Sequence, residues 1–175
     1  GDGVSDLNDD FPLDPTRNLD TDSDGYADVE DDCFEVPGTS TNGSLGCFDA
    51  DQDTWADVND SFPLDISQWN DTDNDGYGDR MNGTTPDSCP SQFGSSSADI
   101  FGCTDSDGDM WSDTGDLFPS DGSEWADNDS DGFGDNIDYC PSTFGNSTNG
   151  TVGCIDDDGD SWATSGDFLP LDPTQ

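Results

Sequence analysis

A repeated segment limits the folds open to this chain more than any other feature of the sequence. A Phe-Pro-x-Asp motif, which we call the elbow, begins at Phe11, Phe62 and Phe118, and a Leu-Pro-Leu-Asp version begins at Leu169. The spacings are 51, 56 and 51 residues. Internal repeats are typical of tandem arrays, in which each copy packs mainly against its neighbours.

The repeat spacing predicts the domain organisation. We assign residues 11–61, 62–117 and 118–168 to three repeats, 1–10 to the end of a preceding repeat, and 169–175 to the start of the next one. The middle repeat has five additional residues between Arg80 and Cys89. We therefore interpret the chain as a window from a longer array, in which further repeats of the same chain are the nearest partners.

The acidic charge excludes several classes of protein. The chain has 43 acidic and 2 basic residues, a net charge of -41 and only 28% hydrophobic residues. Without Lys or His it cannot neutralise nucleic-acid phosphates, and it lacks histidine-based catalysis and histidine-ligated zinc. No apolar run reaches the roughly 20 residues of a membrane span. We expect a non-enzymatic protein that neither binds nucleic acid nor inserts into membranes.

Aspartate accounts for 40 of the 43 acidic residues, and it recurs at fixed positions. Counting from the first Asp, the first-type loops 20–31, 71–82 and 127–138 carry carboxylates at positions 1, 3, 5 and 9, with Gly at position 6. Two of them also end in Asp at position 12. The middle loop has Asn82 there, so either Asn82 or Asp87 is predicted to close it. The carboxylates are Asp20, Asp22, Asp24, Asp28, Asp31, Asp71, Asp73, Asp75, Asp79, Asp127, Asp129, Asp131, Asp135 and Asp138.

The second-type loops 49–60, 105–116 and 156–167 have the same spacing but no Gly at position 6. The last of them has Thr164 at position 9. Their carboxylates are Asp49, Asp51, Asp53, Asp57, Asp60, Asp105, Asp107, Asp109, Asp113, Asp116, Asp156, Asp158, Asp160 and Asp167. A further, partial loop at the start of the chain contributes Asp2, Asp6 and Asp9.

This arrangement of oxygens suits a hard cation with six to eight ligands, and the less strict geometry favours calcium over magnesium. Position 7 is predicted to offer its backbone carbonyl, and its residues are Tyr26, Trp55, Tyr77, Trp111, Phe133 and Trp162. The elbow carboxylates Asp14, Asp65 and Asp121 are candidates for additional ligands. We expect at least six calcium ions, one for each whole loop.

The pattern D-x-D-x-D-G-x-x-D-x-x-D-x-C, complete in 20–33 and 127–140, resembles the thrombospondin type 3 repeat. Cys-Pro at Cys89 and Cys140 follows that family, whereas Cys33-Phe34 and the elbows depart from it. The resemblance implies an irregular chain wrapped around calcium ions, with disulfides between loops. Together with the scarcity of periodic apolar patterns, it predicts an elongated rod with little regular secondary structure. Helix-flanked calcium loops are disfavoured because no amphipathic helix follows any loop.

The cysteine spacing predicts disulfides within each pair, and pairing between repeats is the alternative. The pairs are Cys33 and Cys47, Cys89 and Cys103, and Cys140 and Cys154. Cysteines arranged in this way indicate an oxidising compartment. The sequence also has more Asn-x-Ser/Thr sites than chance gives, which predicts N-linked glycans on a secreted chain. These sites are Asn42, Asn59, Asn70, Asn82, Asn128, Asn146 and Asn149.

We therefore predict an extracellular or cell-surface structural protein: a calcium-stabilised, glycosylated rod, stalk or fibril shaft, capable of lateral or end-to-end self-association. The alternative is an adhesion module that binds carbohydrate or protein through exposed aromatic residues on the same scaffold. The two differ in whether the Trp residues pack between loops or face solvent.

Overall fold

The computed structural model describes residues 3–5 and 7–174, and within them the chain is irregular. These residues form no helix and no extended strand. Isolated parallel bridges join Asn42 to Trp55, Gly78 to Pro86, and Asn149 to Trp162. This part of the chain therefore also lacks any helix of the length and apolarity that a membrane span requires. Asp2 and Asp6 of the partial loop lie outside the described residues. The predicted irregular fold class is confirmed.

Contacts divide the chain into two compact units, Gly1–Ser91 and Gln92–Gln175. The first unit contains the loops 20–31, 49–60 and 71–82 together with Asp87. The second contains the loops 105–116, 127–138 and 156–167. Each unit therefore holds three of the six aspartate loops.

The elbows are hydrogen-bonded turns. The N–H of Asp65 donates to the carbonyl of Phe62 at 2.8 Å, so Pro63 occupies the second turn position, where its fixed φ is favourable. The Asp65 carboxylate then accepts both the N–H and the hydroxyl of Ser67. The other elbows repeat this arrangement, with Asp14 bonded to Thr16, Asp121 to Ser123, and Asp172 to Thr174.

Disulfides hold the segments between the loops. Cys33 is bonded to Cys47, and Cys140 to Cys154, as the spacing predicts. Cys89 and Cys103 are also in disulfides, so none of the six cysteines is free. Closing a loop of about 15 residues with a disulfide restricts the unfolded chain and is worth about 3 kcal/mol of stability on entropic grounds. The chain is thus stabilised by disulfides, which places it in an oxidising compartment.

The interior is small and largely polar. Its apolar members are alanines and cysteines, namely Ala27, Ala56, Ala163, Cys47, Cys103 and Cys154. By contrast, Leu13 is 98% exposed and Phe168 is 96% exposed. Apolar burial is the main stabilising term in ordinary domains, at about 25 cal/mol per Å². Here many large apolar side chains are exposed and contribute little to it.

Buried polar side chains that follow two of the elbows form hydrogen bonds to the next first-type loops. Gln68, which is 1% exposed, accepts the N–H of Arg80 and donates to the Arg80 carbonyl. Glu124, which is 5% exposed, accepts the N–H of Asn136 in the same way at 3.0 Å. In both repeats a glycine of the loop makes room for this side chain, because a Cβ there would overlap it. The elbow thereby fixes the end of the loop that follows it.

Candidate metal centres

The first aspartate of every loop holds the loop backbone in a tight turn. In the loop 20–31, one oxygen of Asp20 accepts the N–H of Ser23 and the other accepts the N–H of Gly25. All six loops share this pair of bonds, which the carboxylates of Asp20, Asp49, Asp71, Asp105, Asp127 and Asp156 accept. The repeated aspartate spacing therefore produces one repeated local structure.

The aspartates at position 3 of every loop, and those at position 5 of the second-type loops, each use one oxygen for the backbone. In the loop 49–60, Oδ1 of Asp51 accepts the N–H of Asp53, and Oδ1 of Asp53 accepts the N–H of Trp55. Their Oδ2 atoms are buried and have no hydrogen-bond partner. The same holds for Oδ2 of Asp22, Asp73, Asp107, Asp109, Asp129, Asp158 and Asp160. Buried polar atoms without a partner are rare and costly, so these oxygens are candidate ligands for a cation.

The carboxylates at positions 1, 3 and 5 come close together. One carboxylate oxygen from each lies within 4.8 Å of the others in the loops that begin at Asp20, Asp49, Asp71, Asp105 and Asp127, and one further group meets the same criterion. Hard oxygen ligands in this number and proximity are the donor set of calcium. The residues present therefore fit a divalent cation.

A closing carboxylate completes each loop, and in the middle first-type loop it is Asp87 rather than Asn82. Asp87 is fully buried, its Oδ1 accepts the N–H of Cys89, and its Oδ2 has no partner. The closing residues Asp31, Asp60, Asp116, Asp138 and Asp167 likewise accept the N–H two residues later. Oδ2 of Asp60 and Asp138 is also buried without a partner. Despite the five inserted residues, Asp87 is exposed to the charges of the position-3, position-5 and position-9 carboxylates of its loop, as Asp138 is in the third repeat.

Position 9 ties the two ends of the loop together. Asp28 accepts both the N–H and the hydroxyl of Thr21 at position 2. Thr164 accepts the N–H of Asp157 with its hydroxyl, which explains why a threonine serves in that loop. Asp57, Asp79, Asp113 and Asp135 make the corresponding bond. These side chains therefore have a structural bond in addition to the predicted role as ligands.

Position 7 keeps its carbonyl oxygen available. In the described residues, no backbone N–H donates to the carbonyl of Tyr26, Trp55, Trp111, Phe133 or Trp162. The N–H groups of these residues bond instead to the position-5 carboxylates. An unbonded carbonyl next to unpartnered carboxylates matches the ligand role that the sequence predicts.

The pKa values separate the loop carboxylates from those of the elbows. Burial raises the pKa of Asp22, Asp51, Asp107 and Asp158 at position 3, and the neighbouring carboxylates raise it further. The same causes raise the pKa of the closing residues Asp60, Asp87 and Asp138. In the elbows, hydrogen bonds from Thr16, Ser67 and Ser123 lower the pKa of Asp14, Asp65 and Asp121. The loop carboxylates lack a positive partner, whereas the elbow carboxylates are stabilised within their own turns.

The aromatic residues of the second-type loops pack against the elbows. Trp55 stacks on Trp69 with ring centroids 6.4 Å apart, and the Arg80 guanidinium lies 4.5 Å from the Trp69 centroid. Trp111 stacks on Trp125 at 6.1 Å. These two stacks connect the loops 49–60 and 105–116 to the residues that follow the next elbow. Trp162, by contrast, is 47% exposed.

Several structural positions were missed by the sequence analysis. Position 8 is small and buried in all six loops, as Ala27, Ala56, Gly78, Ser112, Gly134 and Ala163. Ser40, which is fully buried, accepts the N–H of Cys47 and donates to the carbonyl of Ser44. Comparing the repeats column by column would have shown both features. All seven predicted glycosylation asparagines are exposed.

Position 6 adopts a positive φ in both types of loop. Gly132 has a φ of 95°, and no atom lies within 4 Å of where its Cβ would be. Met110 has a φ of 81°, and its carbonyl accepts the N–H groups of Ser97 and Ala98. A positive φ costs a residue with a Cβ about 1–2 kcal/mol. At this position, the second-type loops therefore tolerate a strain that glycine removes from the first-type loops.

We expect Gly132→Ala to lower the free energy of unfolding by about 1 kcal/mol, because only the backbone is affected. Met110→Gly should raise it by about 0.5–1 kcal/mol after the entropic cost of glycine. Urea unfolding in saturating calcium measures both, and Met110→Ala is the control that removes the side chain but keeps Cβ. A Met110→Gly variant less stable than Met110→Ala would contradict this account.

Comparison with known protein families finds no match to the chain, and comparison with curated proteins finds none either. The aspartate triplets and the disulfides are consistent with a calcium-binding repeat.

Proposed function

We propose that this chain is an extracellular structural protein whose six loops each bind calcium. Twelve buried carboxylate oxygens of the loop aspartates have no hydrogen-bond donor, and this observation carries the proposal. Position 3 contributes one of them in each of the six loops, and position 5 and the closing position contribute three each. When bound, calcium supplies the positive charge that lets these carboxylates lie together. The chain's own residues supply the turn, the brace at position 9 and the closing carboxylate.

The biological role that we propose is a rod, stalk or fibril shaft of the thrombospondin type 3 kind. Disulfides and exposed Asn-x-Ser/Thr sites favour a secreted or cell-surface location with N-linked glycans. Extracellular calcium modules bind with dissociation constants of about 10⁻⁴–10⁻³ M, which matches millimolar calcium outside cells. The residual negative charge would keep neighbouring chains soluble. We propose no catalytic role, because the repeated aspartates share one structural use.

An adhesion module is the second candidate, and Trp162 is the observation in its favour. This side chain is 47% exposed and borders a cavity of about 260 Å³ together with Phe168. The paired tryptophans favour the structural role, because stacking covers part of their faces. Quenching of tryptophan fluorescence by glycans in the wild type, but not in Trp162→Ala, would favour adhesion.

Native mass spectrometry tests the proposal directly. With saturating calcium we expect at least six bound ions on the disulfide-bonded chain. Asp51→Asn removes a charged ligand from one loop, so its occupancy should be one lower than that of wild type at intermediate calcium. Glu35→Gln is the control, since Glu35 is an exposed residue outside the ligand positions. Absence of specific calcium binding to the wild-type chain would refute the proposal.

A further inference from the structure

The disulfide segment, by which we mean the residues from the first to the second cysteine of a pair, directly contacts the closing carboxylate of the first-type loop. These residues are 33–47 in the first repeat and 140–154 in the third. Asp31 is 7% exposed, and its Oδ1 accepts the N–H of Cys33 at 2.7 Å. In the third repeat, Asp138 is also 7% exposed and accepts the N–H of Cys140 at 2.6 Å. The first cysteine of each of these two disulfides therefore orients a predicted calcium ligand.

The other end of the segment packs closely against the same carboxylate. Gly46, next to Cys47, lies so close to Asp31 that a Cβ would be 2.2 Å from its Oδ1. Gly153, next to Cys154, has the same relation to Asp138 at 2.0 Å. Each closing carboxylate is thus enclosed between the two ends of a segment that the disulfide joins.

A second ligand of the first-type loop depends on the same segment. Oδ2 of Asp24 at position 5 accepts the N–H of Gly38 at 2.9 Å. Oδ2 of Asp131 accepts the N–H of Gly145 at the same distance. Positions 5 and 12 of these loops are therefore both bonded to the backbone between the paired cysteines.

The second-type loops close differently. Asp60 accepts the N–H of Phe62, which belongs to the elbow, and Oδ2 of Asp53 at position 5 has no partner. The disulfide segment touches this loop through the carbonyl of Thr54, which accepts the N–H groups of Thr41 and Asn42. The Asn42 side chain also donates to the Thr54 hydroxyl, and the Asn42 carbonyl accepts the N–H of Ala56, so none of these bonds involves a carboxylate.

We infer that the disulfide segments are positioning elements for the first-type calcium sites alone. The Cys33–Cys47 bond sets the affinity of the loop 20–31, and the Cys140–Cys154 bond that of the loop 127–138. The loops 49–60 and 156–167 hold calcium independently of these bonds. This inference rests on the proposed function, and it divides the six sites into two classes that respond differently to loss of a disulfide.

Hydrogen exchange of the full chain at a series of free calcium concentrations locates each site separately. In Cys33→Ser/Cys47→Ser, the calcium concentration that half-protects 20–31 should rise at least about tenfold, as for loss of groups that orient metal ligands. The midpoints for 49–60 and 127–138 should change less than about twofold. Intact mass confirms that the other two disulfides have formed.

A second variant keeps the disulfide. Gly46→Ala places a methyl group against Asp31 and should raise the midpoint of 20–31 by a similar factor. Gly43→Ala is the matched control, because its φ of 76° resembles the 71° of Gly46, but its Cβ would meet Asn59 instead. It should leave the midpoint of 20–31 within about twofold of wild type.

The outcomes separate the inference from the proposed function. Selective weakening of 20–31 by Gly46→Ala supports the inference. Equal weakening of 20–31 and 49–60 in Cys33→Ser/Cys47→Ser overturns it while calcium binding stands. It is also overturned if Gly46→Ala has no effect on 20–31, or the same effect as Gly43→Ala. If calcium protects neither loop in the wild-type chain, the proposed function itself fails.

Discussion

Removal of calcium is expected to unfold the chain rather than loosen it. Its charge is -41, and its apolar interior consists of a few alanines and cysteines. At 10 mM calcium and the affinities of extracellular modules, each site contributes about 1.4–2.7 kcal/mol through mass action. Six sites then contribute about 8–16 kcal/mol, as much as the whole stability of an ordinary domain. Without them, the disulfides, the local hydrogen bonds and the stacked tryptophans alone oppose the repulsion between carboxylates.

Small-angle scattering and near-ultraviolet circular dichroism measure this effect. Excess EGTA should raise the radius of gyration toward the roughly 44 Å of an unfolded chain of this length, less the restriction imposed by the disulfides. It should also abolish the signals of the stacked pairs Trp55–Trp69 and Trp111–Trp125. Readdition of calcium should restore both, and equimolar magnesium should do so poorly. A radius and a spectrum that stay constant in EGTA would show that the fold does not depend on calcium.

The sequence predicted the aspartate loops well because their bonds are local. Asp20 bonds to Ser23 and Gly25, within five residues, so the spacing of the sequence alone specifies the turn. The same is true of Asp65 in its elbow, whose bonds to Ser67 span two residues. Disulfides within the first and third cysteine pairs were also predictable, since a separation of 14 recurs in each pair.

The remaining features depend on contacts between segments, which spacing does not specify. The position six residues after the elbow Phe is Arg17, Gln68 or Glu124 in successive repeats. These side chains all contact the next loop, but they differ in charge and in hydrogen-bonding groups, so the sequence does not reveal the contact. Arg17 forms an ion pair with Glu30, whereas Gln68 and Glu124 bind the loop backbone. The choice of Asp87 over Asn82 was open for the same reason, because the path of the inserted residues decides it. The bond from position 9 to position 2 was not predicted, because the spacing alone indicated only a ligand role for that side chain.

The pH dependence of stability should have opposite signs with and without calcium. In the ion-free fold, burial and neighbouring carboxylates raise the pKa of residues such as Asp51, Asp60 and Asp87. The folded chain then binds more protons than the unfolded chain as these groups titrate. Their stabilising contribution is complete below the unfolded pKa of about 3.9 and is lost as the pH rises through the raised values. Lowering the pH from 7 toward 4 should therefore stabilise the ion-free fold.

With calcium the sign reverses, because the ligands must be deprotonated to bind the ion. Protons then compete with calcium, and stability falls over the same interval. The elbow residues Asp14, Asp65 and Asp121 do not obscure the comparison, since hydrogen bonds lower their pKa and place their titration below this interval. Near-ultraviolet circular dichroism from pH 7 to 4, in calcium-free buffer and in 10 mM calcium, measures both slopes: acidification should restore signal without calcium and reduce it with calcium. Slopes of the same sign in the two buffers would mean that the buried carboxylates are not the calcium ligands.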